Sequence, residues 1–207
     1  MLTFTLDTNC IIAVDEERSE ASSVRILAAA HRNGHASVGV VAISASERQK
    51  DDVDLESFTT FKERLSRLGL GEMHLLEPMM YWGVTFWDFG LWSDDEMEAL
   101  KRQIHEILFP NVEFLWADYC AAHGVDAESE RPNKKWLNAK CDVQAIWSHA
   151  FRKRDIFVTS DRNFYVEKKN TRLLSLIGGR IELPAAAALL LNDNALNSPI
   201  YTSRKAI

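Results

Sequence analysis

The first third of the chain alternates short apolar runs with longer segments of helical periodicity. The runs at 2–6 and 36–41 are almost continuously apolar and too short for helices, so they predict buried strands. The segments 21–33 and 55–68 carry apolar residues at helical spacing, and a glycine directly follows each of them. This order of strand, helix, strand, helix predicts an α/β domain with a parallel sheet.

The rest of the chain continues this pattern and adds a region of its own. Further strands are predicted over 73–76, 156–159 and 181–183, and helices over 9–14, 42–47, 93–108, 112–122, 134–152 and 185–191. Aromatic side chains are dense between Tyr81 and Trp92, a set more typical of core or of a subunit interface than of a surface that stacks bases. We therefore expect one domain over 1–192, enlarged by a helical and aromatic insertion at about 70–131, and a polar tail over 193–207.

Two aspartates follow predicted strands directly. Asp7 comes after the first strand, and Asp161 comes just past the strand at 156–159. In open parallel sheets, ligands bind outside the carboxyl ends of the strands. If these two strands are neighbours, the carboxylates meet, and they repel each other unless a cation lies between them.

Two further acids can join this pair from helices. Glu47 lies on the helix after the second strand, and Asp142 lies in the long helix 134–152. Both have apolar or small neighbours, in which an unpartnered carboxylate is costly. A cluster of carboxylates without cysteine or histidine ligands suits Mg²⁺ or Mn²⁺.

Each acid also has an ordinary structural explanation. Asp7 could be a helix N-cap, Asp161 a turn residue and Glu47 a solvated helix residue, while Asp142 could pair with Lys140 or His149. The joint arrangement of the acids is more specific than any one member.

The motifs LDTN at 6–9 and VTSDRNF at 158–164, with Glu47 and Asp142 on helices between them, resemble those of the PIN domain family. The resemblance implies a three-layer α/β/α fold around a central parallel sheet and a Mg²⁺- or Mn²⁺-dependent ribonuclease. It covers 1–50 and about 134–191. Many members of the family are toxins of toxin–antitoxin pairs, so an antitoxin partner and a homodimer are further expectations.

Carried over by position, the resemblance assigns the individual residues. The metal ligands and catalytic acids would be Asp7, Glu47, Asp142 and Asp161, with Asn9, Ser160 and Asn163 in support. Nearby Asp51 and Asp52 are substitutes for Glu47. The expected reaction is hydrolysis of RNA phosphodiester bonds by a metal-activated water, leaving a 5′-phosphate and a 3′-hydroxyl.

Composition and charge indicate which residues could contact RNA and where the protein is expected to be located. The net charge is −6, but residues 131–172 hold 11 Lys and Arg against 4 Asp and Glu, so this segment is locally basic. Lys140 and Arg162 lie next to the predicted acids and could contact RNA phosphates. The three cysteines lack paired spacing, and the chain has neither a secretory leader nor an apolar run long enough to span a membrane, so we expect a cytoplasmic protein.

Three other functions compete with the nuclease. One is a non-cleaving PIN-like module that binds RNA or a protein. Another is a phosphohydrolase with Asp7 as nucleophile, but that chemistry requires a second acid two residues later, where Asn9 stands. The last is an assembly module whose interface is the aromatic segment, which would show no metal dependence.

Overall fold

The computed structural model describes residues 1–45, 58–81, 84–85 and 89–196. Within these residues, one sheet contains five strands, all paired in parallel, in the order β3-β2-β1-β4-β5. The strands are β1 (Thr3–Leu6), β2 (Ser37–Val41), β3 (His74–Leu76), β4 (Ile156–Val158) and β5 (Arg180–Glu182). The predicted parallel α/β sheet is confirmed.

Helices connect the strands in sequence order. They are α1 (Thr8–Asp15), α2 (Ala21–Arg32), α3 (Phe58–Arg67), α4 (Asp95–Leu108), α5 (Trp116–His123), α6 (Lys134–Phe151), α7 (Glu167–Ile177) and α8 (Pro184–Leu196). Short 3-10 helices follow β2, over Ala42–Ala45, and β4, over Arg162–Tyr165. The helix predicted over 42–47 begins as the first of these, and its end lies outside the described residues.

Two hydrophobic clusters cover the two faces of the sheet, because successive side chains of a strand point to opposite faces. Phe4 and Leu6 of β1 belong to one cluster, together with buried residues of α1, α2, α3 and α8. Phe157 of β4 belongs to the other, with buried residues of α4, α6 and α7. The sheet therefore has a helical layer on each side.

The middle region, 70–131, is only partly an addition to this fold. Strand β3 lies within it but pairs with β2, so the central sheet itself extends into the region. Helix α4 packs against α6 and α7.

Two of the three described aromatic residues between Tyr81 and Trp92 are half-buried and pack against other rings. The Tyr81 ring lies 5.9 Å from that of Trp136, and the Phe89 ring stacks 4.5 Å from Phe58. Trp92 differs, since 77% of it is exposed. Trp82, Phe86 and Trp87 lie outside the described residues.

The helix predicted over 112–122 is wrong at its start, since α5 begins only at Trp116. Side chains of α4 and α6 occupy three consecutive carbonyls ahead of it. The carbonyl of Val112 contacts His105 Nε2 at 2.6 Å, that of Glu113 accepts from Trp136 Nε1 at 3.1 Å, and that of Phe114 accepts from Lys140 Nζ. Tertiary hydrogen bonds thus replace the first turn of the predicted helix.

The other differences are smaller. Helix α7 had no counterpart in the sequence prediction, and α8 continues to Leu196, beyond the predicted domain boundary at 192. Residues 197–207 of the predicted tail lie outside the described residues. The three cysteines are buried and free. Over the described part of the chain, every helix is too short or too polar to cross a membrane.

Candidate functional site

Strands β1 and β4 are neighbours in the sheet, which brings their carboxyl ends together. Leu6 aligns with Val158, and the backbone N–H of Asp7 donates to the Val158 carbonyl at 3.0 Å. Asp7 and Asp161 therefore leave the sheet at the same edge. The two strands are therefore neighbours, which is the condition for the carboxylates of Asp7 and Asp161 to meet.

Asp7 is a buried carboxylate surrounded by hydrogen-bond donors. It is 2% exposed and is the N-cap of α1. Its Oδ1 accepts from the Thr8 N–H at 2.8 Å, and its Oδ2 accepts from the Thr159 hydroxyl at 2.7 Å and the Asn9 amide at 3.2 Å. Burial raises the pKa of Asp7, these bonds oppose the rise, and the charge of Asp161 adds to it.

Thr159 joins the two aspartates through one hydroxyl. The side chain is fully buried; besides donating to Asp7, it accepts from the backbone N–H of Asp161 at 3.0 Å. The sequence analysis did not single out this residue. The available signal was its position in VTSD, at the end of a strand and two residues before Asp161.

Asp161 is half-buried and caps the 3-10 helix that follows β4. Its Oδ1 accepts from the Asn163 N–H at 2.8 Å. Its Oδ2 receives no hydrogen bond from any residue that the structure describes. Asp7 thus caps α1 and Asp161 caps the 3-10 helix, as considered from the sequence. Both aspartates also lie at the same edge of the sheet.

The supporting residues differ in what they contact. Asn9 reaches Asp7, as described above. The side chain of Asn163 accepts a hydrogen bond from Lys169 of α7, whose Nζ also donates to the carbonyl of Leu108 at 2.7 Å. Ser160 is half-buried between Thr159 and Asp161. The loop that carries Asp161 is therefore connected through α7 to the end of α4.

Of the other two predicted acids, the structure describes only Asp142. Asp142 is half-buried on α6, and Glu47 lies outside the described residues, as do Asp51 and Asp52. Across 1–45, 58–81, 84–85 and 89–196, no three His, Cys, Asp or Glu side chains lie close enough together to hold a metal ion.

Lys140 and His149, the two partners considered for Asp142, contact other residues. Lys140 is 2% exposed, and its Nζ contacts the Phe114 carbonyl and lies 4.0 Å from the centre of the Phe114 ring. Burial lowers the pKa of Lys140 to about 7, and the charge of Lys101 adds to this shift. The ammonium of Lys140 thus lies inside the protein, whereas Arg162 is exposed as a phosphate contact requires. His149 Nδ1 contacts the Thr5 hydroxyl at 2.9 Å.

The chemistry of the donors at this edge suits a hard cation. Neither Asp7 nor Asp161 forms an ion pair with a Lys, Arg or His of the described chain. The nearest thiol is that of Cys10, which contacts the Val158 carbonyl at 3.3 Å, and burial raises the pKa of this thiol well above its usual value. Because that thiol stays protonated, the charged ligands available are carboxylate oxygens, which Mg²⁺ and Mn²⁺ prefer.

Comparison with known proteins adds no relative. No protein-family model matches the chain, and no curated protein or solved structure is significantly similar to it.

Proposed function

We propose that this protein is a PIN-like, Mg²⁺- or Mn²⁺-dependent endoribonuclease whose site is built around Asp7 and Asp161. Asp142 and Glu47 complete the proposed ligand set. The observation that carries the proposal is the Asp7 carboxylate: it is buried, its pKa is raised, and no cationic side chain of the described chain pairs with it. A buried charge is normally neutralised by a partner or by a metal ion.

Different groups hold the carboxylates of Asp7 and Asp161 in place. Thr159 and the N–H of Thr8 hold the Asp7 carboxylate in one orientation, and the Asn163 N–H holds one oxygen of Asp161. The second oxygen of Asp161 is the atom we expect to meet a cation. Because like charges repel, we expect Asp142 to approach the pair only when an ion is bound.

The ion supplies Lewis-acid chemistry when it is bound: it activates a water near neutral pH and offsets the charge of the phosphodiester. The protein holds the carboxylates that fix its position. RNA as the substrate is supported by the resemblance of LDTN and VTSDRNF to the PIN family and by the exposed Arg162 beside Asp161. A toxin role with an antitoxin, and a homodimer, stay predictions.

The proposal is tested by incubating a mixed single-stranded RNA pool with Mn²⁺, Mg²⁺ or EDTA and the purified protein. We expect cleavage with metal, none with EDTA, and loss of cleavage in Asp7→Asn and Asp161→Asn. Asp118→Asn is the matched control, because Asp118 is an exposed acid on α5 and its change should leave cleavage intact.

Thermal unfolding with and without Mn²⁺ provides a readout that does not depend on activity. Wild-type protein and Asp118→Asn should gain stability from the ion, and Asp7→Asn should not, since only the folded site binds it. Metal binding and RNA binding without cleavage would favour the non-cleaving module. Failure of the ion either to bind or to raise the melting temperature would refute the proposed site and favour the assembly module.

A further inference from the structure

Several cations of the basic segment 131–172 are engaged by other groups of the protein. Lys140 is buried, Arg152 pairs with Glu77, and Lys169 binds the carbonyl of Leu108. Arg154 is also internal, because its Nη2 donates to the carbonyls of Phe4 and Ser37 at 2.8 Å each. These residues hold the fold together, so the charge of the segment overstates its exposed charge.

Arg162, Lys168 and Arg172 are not engaged in this way, and neither are Arg131, Lys135 and Lys153, but only the first three lie on the elements that directly follow Asp161. These first three are exposed, and none makes a hydrogen bond or an ion pair with another residue of the described chain. They lie on two consecutive elements, the 3-10 helix that Asp161 caps and the helix α7 that follows it. Exposed arginines elsewhere, such as Arg18 and Arg180, pair with nearby glutamates.

The contacts of α7 show which of its sides is next to the candidate site. Lys169 reaches Asn163, whose backbone N–H holds Asp161. On a helix of 3.6 residues per turn, positions 168 and 172 are about 40° apart and both lie to the same side of Lys169. Arg162, which directly follows Asp161, begins the element that Lys169 contacts.

Helix α7 itself carries one carboxylate, that of Glu167. Glu167 is the acid of the first turn, and it lies about 160° around the helix from Lys169 on the far side. The Thr171 hydroxyl donates to the Glu167 carbonyl at 3.0 Å on that far side. Between Lys168 and Arg172 on this side, α7 itself therefore places no carboxylate.

We propose that Arg162, Lys168 and Arg172 form one surface, the α7 basic surface, that binds the phosphate backbone of single-stranded RNA beside Asp7 and Asp161. The surface makes charge contacts without reading the bases, because its members are long cationic side chains on a helix exterior. The inference rests on the proposed function, since it names the surface that brings this substrate to that site. In this surface, Lys168 and Arg172 take the place of the buried Lys140 as phosphate contacts beside Arg162.

The test measures binding separately from cleavage. Fluorescence anisotropy of a labelled single-stranded RNA of mixed sequence is followed in EDTA, in an Asp161→Asn background, over a series of KCl concentrations. The variant changes Arg162, Lys168 and Arg172 together to Gln. The matched control changes three exposed cations of the same basic segment, Arg131, Lys135 and Lys153, to Gln, so both variants carry the same net charge.

For single strands, each phosphate contact contributes about 0.7 to the slope of log K against log salt. We therefore expect the Arg162, Lys168 and Arg172 variant to lower the magnitude of the slope by about 2 and to weaken binding at low salt, while the control keeps the parental slope. Equal losses in the two variants would show an effect of net charge and overturn the surface. The absence of any RNA binding by the parent would overturn it as well.

Failure of this surface is distinguishable from failure of the nuclease. If metal-dependent cleavage is present but the Arg162, Lys168 and Arg172 variant binds RNA with the parental slope, the surface is wrong and the nuclease stands. If the variant loses its slope while the wild-type protein cleaves nothing with any metal, the surface stands and the nuclease is wrong.

Discussion

The buried imidazole of His149 makes the stability of the fold depend on pH below neutrality. His149 lies on α6 with no exposed surface; its Nδ1 contacts the Thr5 hydroxyl of β1, and its Nε2 has no partner among the described residues. The ring lies 5.5 Å from Phe157, edge to face. A Cβ at position 179 would lie 3.2 Å from Nε2, so the glycine there permits the backbone to come this close.

Burial, together with the charge of Arg154 and against a partial offset from Asp155, lowers the pKa of His149 to about 3. The unfolded chain titrates near the ordinary histidine pKa of about 6.5. The folded pKa is the lower one, so the stabilisation is fully present above pH 6.5 and is lost as the pH falls towards 3. At about 1.4 kcal/mol per pH unit, folding becomes less favourable by about 2 kcal/mol at pH 5 and about 4 kcal/mol at pH 3, where the folded-state imidazole is itself half-protonated.

The assay is urea unfolding of wild-type protein, His149→Gln and His35→Gln at intervals from pH 7.5 to pH 5. Asp7 acts in the opposite direction, because its raised pKa makes the folded state bind a proton more readily as the pH falls. The difference between variants removes that contribution, since Asp7 is common to all of them. His35 is exposed and serves as the control histidine.

We expect the wild-type protein and His35→Gln to lose about 2 kcal/mol more than His149→Gln between pH 7.5 and pH 5. The midpoint in urea should move while the m-value stays constant. Parallel pH profiles for wild-type protein and His149→Gln would refute the reasoning, because they would show that the imidazole is not desolvated in the folded state.

Two further predictions concern the groups that hold the aspartate pair. Thr159→Val removes the hydroxyl between Asp7 and Asp161 and leaves buried polar groups unsatisfied, so we expect a loss of about 1–3 kcal/mol in unfolding free energy and about 10–100-fold in metal affinity, measured by urea unfolding and by calorimetry with Mn²⁺. Lys169→Met releases the side chain of Asn163 and the carbonyl of Leu108; we expect cleavage to fall mainly through kcat, with RNA affinity reduced much less, in single-turnover and binding assays.

Controls for these two variants come from the same elements or the same residue types. Thr171→Val removes a hydroxyl from the far side of α7 and should leave metal affinity unchanged. Lys135→Met removes an exposed lysine near the start of α6 and should leave kcat unchanged. If Lys169→Met altered only RNA affinity, Lys169 would be a phosphate contact and not a positioning residue.

Local sequence signals predicted the elements whose ends are set by their own residues. Asn133, directly before the helix predicted over 134–152, caps α6 by accepting from the Trp136 N–H at 3.0 Å. Asp94, in the first turn of the helix predicted over 93–108, caps α4 by accepting from the Met97 N–H at 2.8 Å. The start of α5 was predicted wrongly, because the competing donors come from His105 and Trp136, which are distant in sequence.

In the candidate site, too, some residues could be identified from local sequence and others only from tertiary contacts. The place of Asp7 and Asp161 after predicted strands identified them, but Thr159 became visible only when β1 and β4 were seen to be neighbours. Lys140 was predicted to contact phosphate because of its charge and its position two residues before Asp142, whereas in the structure it is buried, with its Nζ against Phe114.

The sequence by itself determined the parallel α/β class, the boundaries of most helices and the two strands that end in aspartates, since alternation, periodicity and capping are properties of neighbouring residues. The tertiary structure decided the strand order, the bridge through Thr159 and the contact of Lys169 on α7 with Asn163. It also decided which cations stay exposed. These features depend on contacts between residues far apart in the chain, and a local sequence pattern does not specify which distant residue a side chain contacts.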